Sequence, residues 1–136
     1  MKAFLLALVL GFNVPGAIVI HDDPGGAVST YVDWYRRIMH AHIPVKIEGP
    51  CVSACTLVLM LPKSQVCVGA NGSLGFHEAT ISGVPSMPAT RELIEEFYPP
   101  IVQAWLRGKK LTVEHIEYMH SDEIVRLGVF NACDDA

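Results

Sequence analysis

Ser53, in the run Cys51-Val52-Ser53-Ala54-Cys55, stands where an extended segment gives way to an apolar helical one. A serine hydroxyl is a weak nucleophile until a base takes its proton, and it gains from backbone amides at a helix start that face developing negative charge. Upstream, Ala17-Ile18-Val19-Ile20 reads as a strand leading into Asp22-Asp23-Pro24-Gly25-Gly26, whose glycines leave bare amides that can serve an oxyanion. Downstream, His77 ends the short run Gly75-Phe76-His77 and opens a loop rich in Gly and Pro, a setting that favours a partly exposed base. The chemistry these residues could do together is acyl transfer. Ser53 would be the nucleophile and His77 the base, with Gly25 or Gly26 and Ala54 as oxyanion donors. A group to orient the imidazole is also needed, and Glu114, Glu117 and Asp122 all follow His77. Each has a plainer reading as a solvated helix carboxylate, and Asp122 as a cap.

The elements that must position these groups alternate between strand and helix. Val28, Tyr31, Val32, Tyr35, Ile38 and Met39 recur at the spacing of one helix face. Ile43 to Glu48 alternates as a strand and is broken by Gly49-Pro50, after which Ser53 to Leu61 reads as a buried helix stopped by Pro62. Gln65 to Val68, closed by Gly69, and Ser73 to His77 are further extended runs. Glu78 to Ala89 reads as loop, and Thr90 can cap a helix running to Arg107 that Pro99-Pro100 kinks or splits. Two short helices are expected over 113–119 and 122–127, the second closed by Gly128. Alternating elements of this kind predict an α/β fold with a mainly parallel sheet.

With 136 residues, 51% of them hydrophobic, the chain can fill the core of one domain. A net charge of −4, with basic residues scattered, leaves no electrostatic footprint for nucleic acid. Met1-Lys2 followed by an apolar run to Phe12, then Gly16-Ala17, reads as a signal peptide over residues 1–16, with the domain at 17–136. The run is too short for a stable membrane span, which needs about 20 apolar residues. A periplasmic or secreted location follows, with a cytoplasmic one, in which the segment belongs to the core, as the alternative. The four cysteines suit an oxidising compartment, but their pairing is open. Their spacing does not suit zinc, and the chemistry outlined above calls for no metal or cofactor.

The order Ile18-Val19-Ile20-His21-Asp22-Asp23-Pro24-Gly25-Gly26, Cys51-Val52-Ser53-Ala54-Cys55 and Gly75-Phe76-His77 resembles the Clp protease proteolytic subunit and its periplasmic Clp-like relatives. Ser53 follows Gly26, and His77 follows Ser53, at that family's intervals. The tail Ser121 to Val129 looks like its closing segment, so the resemblance covers roughly residues 17 to 130. It implies a ClpP/crotonase-like fold of repeated ββα units, shortened at its N-terminus. It also implies a serine endopeptidase with Ser53 as nucleophile, His77 as base and Gly26 (or Gly25) with Ala54 at the oxyanion. Aligning the tail puts the family's acid near Ile116, so a neighbour must substitute: Glu117, with Glu114 and Asp122 as alternatives. A peptide or protein would be the substrate, and a homo-oligomer would complete exposed edges. The competing reading is a catalytically silent binding or assembly module of the same fold. An acyl-CoA enzyme of that fold fits less well, since it would make the Ser53 and His77 pairing a coincidence.

Overall fold

In a computed structural model, residues 16–134 are described, so the expected leader lies outside the described residues except for Gly16. Short apolar runs separated by Gly and Pro become the strands. These are β1 (Ile18–Ile20), β2 (Val45–Ile47), β3 (Pro50–Val52), β4 (Val66–Val68) and β5 (Ser73–Phe76). β6 (Thr80–Ile81), β7 (Val84–Pro85), β8 (Glu117–His120) and β9 (Asn131–Ala132) follow. The helices are α1 (Val28–His40), α2 (Met87–Phe97), α3 (Pro100–Arg107) and α4 (Ser121–Arg126), together with a 3-10 helix over Ser53–Met60.

One sheet has the order β1-β2-β4-β9, with every pair parallel. Val45, Ile47, Val66 and Val68 are buried in it, as expected of a parallel sheet covered on both faces. A second sheet has the order β3-β5-β8, with β3 parallel and β8 antiparallel to β5. The protein is therefore mixed α/β with a mainly parallel sheet, as the alternation of elements predicts. The 3-10 helix packs against β3, β5 and α1 and is buried from Ala54 to Leu59, which is why its sequence is almost wholly apolar. It makes the tighter i to i+3 turns where an ordinary helix was expected, and Pro62 stops it. α1 packs Tyr31, Val32 and Tyr35 against it.

Three local expectations change. The segment 113–119 is not a helix: from Glu117 it becomes β8, pairing Glu117 with Phe76 and His120 with Ser73. Only Met119 of this strand is buried, between exposed Tyr118 and His120, so a period of two wins over helix propensity once β5 offers an edge. The loop 78–89 contains the β6–β7 hairpin, turned by Ser82 and Gly83, both at positive φ. Ser86, not Thr90, caps α2, its Oγ accepting from the Ala89 amide. The split at Pro99-Pro100 occurs as expected, and Gly128 at φ 76° closes α4, with the Val129 amide reaching back to the Ile124 carbonyl.

The cysteines pair as Cys51–Cys55 and Cys67–Cys133. The second disulfide ties β4 to the end of the described chain across 66 residues, beside the hydrogen bond from the Cys133 amide to the Val68 carbonyl. Closing so long a loop restricts the unfolded chain, so replacing both Cys67 and Cys133 with alanine is expected to cost about 2–4 kcal/mol. Urea unfolding of the two proteins, compared at equal slope, measures it. Among the described residues no helix is long and apolar enough to cross a membrane.

Candidate active site

Ser53 is the hinge between β3 and the 3-10 helix, and its backbone takes φ 59°. A side chain in the left-handed region costs roughly 1–3 kcal/mol and persists where neighbours enforce it. Here the Cys51–Cys55 disulfide closes the turn from both sides, and both cysteines are fully buried. Thr56 Oγ1 donates to the Ser53 carbonyl, and the Tyr98 hydroxyl donates in turn to Thr56 Oγ1. Burial pushes the Tyr98 phenol up to about 12, so it remains a donor at neutral pH. A strand, a left-handed serine and a helix in succession is the geometry that lifts a nucleophile's hydroxyl out of its surroundings.

The turn after β1 is pressed against this hinge. Gly25 has φ 89°, and a Cβ on it would lie 2.7 Å from Ser53 Cβ and 2.8 Å from the Ala54 nitrogen. Only glycine lets the two backbones approach this closely. Ala54 lies in the first turn of the 3-10 helix, so its N–H has no acceptor within the helix. The Gly25 N–H is already engaged, donating to Asp23 Oδ1 at 2.9 Å. Gly26 is exposed, and its N–H has no acceptor among the described residues. Of the glycine amides expected at the oxyanion, Gly26 therefore has the available N–H, beside that of Ala54.

His77 follows β5 directly and is half-buried. It lines the same pocket as Ser53, although no hydrogen bond joins the two side chains. Its Nδ1 lies 2.7 Å from the Glu78 carbonyl oxygen. A carbonyl can only accept, so Nδ1 carries the proton, and in the neutral ring Nε2 is left as the basic nitrogen. The Glu78–Ala79 peptide is itself fixed: the Glu78 amide donates to the Thr112 carbonyl and the Ala79 amide to Thr90 Oγ1 at 2.9 Å. The buried Thr90 hydroxyl in turn donates a hydrogen bond to the Ser86 carbonyl. The residue expected to cap α2 thus orients the peptide on which the imidazole rests.

None of the expected acids meets His77. Glu117 stands opposite Phe76 on β8, and its Oε1 lies 3.3 Å from His115 Nε2. Glu114 is exposed before β8, and Asp122 sits in the first turn of α4, where its charge suits the helix start. Ile116, near which the family's acid would fall, packs its side chain beside Gly75.

The pocket shared by Ser53 and His77 is walled by Val28, Leu57, Leu93, Ile94, Leu106 and Leu111. Such a wall excludes water and suits an apolar side chain next to a reacting carbonyl. Sequence reasoning had no role for Asp23, Tyr31, Thr56 or Tyr98. Only Asp23 carried a signal, since Asp two residues before Gly is the pattern of a turn closed by its own carboxylate. The chain matches no family model and no curated protein.

Proposed function

We propose that this chain is a serine-type peptide hydrolase of the Clp protease-like kind, on a ClpP/crotonase-like fold. The observation that carries the reading is the left-handed Ser53 at the strand-to-helix turn, pressed against the Gly25 backbone beside the unpaired Ala54 amide. His77 Nε2 takes the Ser53 hydroxyl proton as Oγ attacks the substrate carbonyl carbon. The oxyanion that forms is met by the Gly26 and Ala54 N–H groups. His77 then returns the proton to the leaving amine as the C–N bond breaks, leaving an acyl ester on Ser53. Water attacks the ester carbonyl carbon as Nε2 takes its proton; the bond to Oγ then breaks, Nε2 returns that proton to Oγ, and the carboxylic acid leaves with Ser53 restored. The Glu78 carbonyl supplies the orientation that a carboxylate supplies elsewhere, without its charge. The apolar pocket receives the side chain on the acyl side of the cleaved bond. Two disulfides favour work in an oxidising compartment outside the cytoplasm.

A fluorophosphonate probe tests this directly, because Ser53 Oγ would displace its fluoride while His77 accepts the proton. The wild type should label and Ser53→Ala should not; equal labelling of the two proteins sinks the proposal.

One observation favours a silent binding module instead: among the described residues no carboxylate meets His77, and the imidazole is not bonded to Ser53. On that reading the wild type never labels, while the pocket still takes up an apolar peptide side chain.

A further inference from the structure

The half-buried carboxylate of Asp23 lies outside the reacting groups, yet it joins three pieces of the site. Its Oδ1 accepts from the Gly25 N–H at 2.9 Å and from the Tyr31 hydroxyl at 2.7 Å. Its main chain is bridged to the strand that carries the nucleophile, the Asp23 amide donating to the Pro50 carbonyl and the Val52 amide to the Asp23 carbonyl. Tyr31 comes from α1, and one turn further along the same face Tyr35 donates to the Cys55 carbonyl, just beyond Ser53. Two tyrosines at i and i+4 on one rigid helix thus fasten both sides of the oxyanion site, one through Asp23 to the glycine turn, the other to the 3-10 helix.

We infer that Asp23 and Tyr31 are positioning residues for the oxyanion site, setting the place of the Gly26 amide relative to that of Ala54. The inference rests on the hydrolase reading above. Its physical basis is that an oxyanion donor contributes only if it is fixed before charge develops, and a glycine turn left to itself is mobile. Asp23 fixes the turn by binding the amide next to the one that serves the substrate. Tyr31 fixes the carboxylate rotamer by binding the same oxygen. Burial first, and Asp23 second, push the Tyr31 phenol up to about 12, so this donor keeps its proton throughout the working range.

The chemistry separates geometry from charge. An asparagine at position 23 retains a carbonyl oxygen able to accept both bonds, whereas alanine retains none. The test uses the full chain and a fluorophosphonate probe, with the limiting labelling rate and the half-saturating probe concentration measured separately. Asp23→Ala should lower the limiting rate about 10- to 100-fold, somewhat less than outright loss of a donor. The half-saturating concentration should change little, because the pocket is untouched. Tyr31→Phe should show the same pattern at about 3- to 10-fold. Asp23→Asn should stay close to wild type, and it remains informative where Asp23→Ala fails to fold, since loss of labelling in a folded Asp23→Asn protein overturns the inference. So does a folded Asp23→Ala protein that labels at the wild-type rate, or one whose deficit lies wholly in the half-saturating concentration. Those outcomes leave the hydrolase reading standing. A wild type that does not label brings down that reading and this inference together.

Discussion

Replacing His77 with alanine is expected to lower turnover of a peptide or activated ester by about 10⁴- to 10⁶-fold, while thermal stability changes little. The side chain is half-buried, and the hydrogen bond it loses ends on the carbonyl of Glu78, a residue itself only half-buried. What disappears is the acceptor for the Ser53 proton, without which the hydroxyl is not a nucleophile at neutral pH. The companion variant is Glu117→Gln. The Glu117 carboxylate faces His115, an exposed partner, and His77 Nδ1 rests on the Glu78 carbonyl. Glu117→Gln should therefore retain activity to within about fivefold, the scale of an exposed ion pair. If Glu117→Gln instead falls as far as His77→Ala, Glu117 swings onto Nδ1 when substrate binds, and the carbonyl is only its resting partner. Steady-state rates of the three proteins on one ester substrate decide the matter. A carbonyl in this position orients the ring but does not neutralise the imidazolium that forms in the transition state, so the wild type should be slower than an enzyme with a buried acid.

The parts of this site legible in the sequence were those that depend on local chain chemistry. Gly25 and Gly26 after a strand, a small-residue turn around Ser53 and a histidine at a strand end are short-range patterns, and the chain folds them close together. The orienting group for His77 was not legible, because a main-chain carbonyl has no residue type to search for. The resemblance points instead to carboxylates around Ile116, and the one beside it, Glu117, lies on a segment read as helix. That misreading has a physical source. Residues 113–119 bury one side chain, Met119, and from Glu117 they pair as a strand with the edge of β5, a fact of tertiary pairing. Asp23 was a different kind of omission: its turn chemistry is local, but the Tyr31 hydroxyl that completes its role arrives from the next helix. The disulfides could not be paired from spacing: Cys51 and Cys55 come to 5.2 Å between Cα atoms only through the turn at Ser53, and Cys67 and Cys133 meet only through the pairing of β4 with β9.

Gly25→Ala is expected to be among the most damaging single changes near the site, costing at least about 2 kcal/mol of stability and nearly all labelling of Ser53. Two costs combine. An alanine at φ 89° is strained whatever space surrounds it, and its Cβ would lie 2.7 Å from the Val52 carbonyl oxygen and 2.8 Å from the Ala54 nitrogen. Both neighbours are main chain, fixed by β3 and the 3-10 helix, so neither can move aside as a flexible side chain could. The turn must retreat instead, drawing Gly26 away from Ala54 and widening the space where the oxyanion would sit. Gly26→Ala is the control, because a Cβ there meets only the Tyr31 ring edge at 3.4 Å and Gly26 is not at positive φ. It should fold with near wild-type stability. Urea unfolding and fluorophosphonate labelling of both variants therefore ask whether the close approach at Gly25 matters for the nucleophile or only for the fold. In a Gly25→Ala protein that remains folded under the assay conditions, undiminished labelling would mean that the contact between the two turns is structural alone.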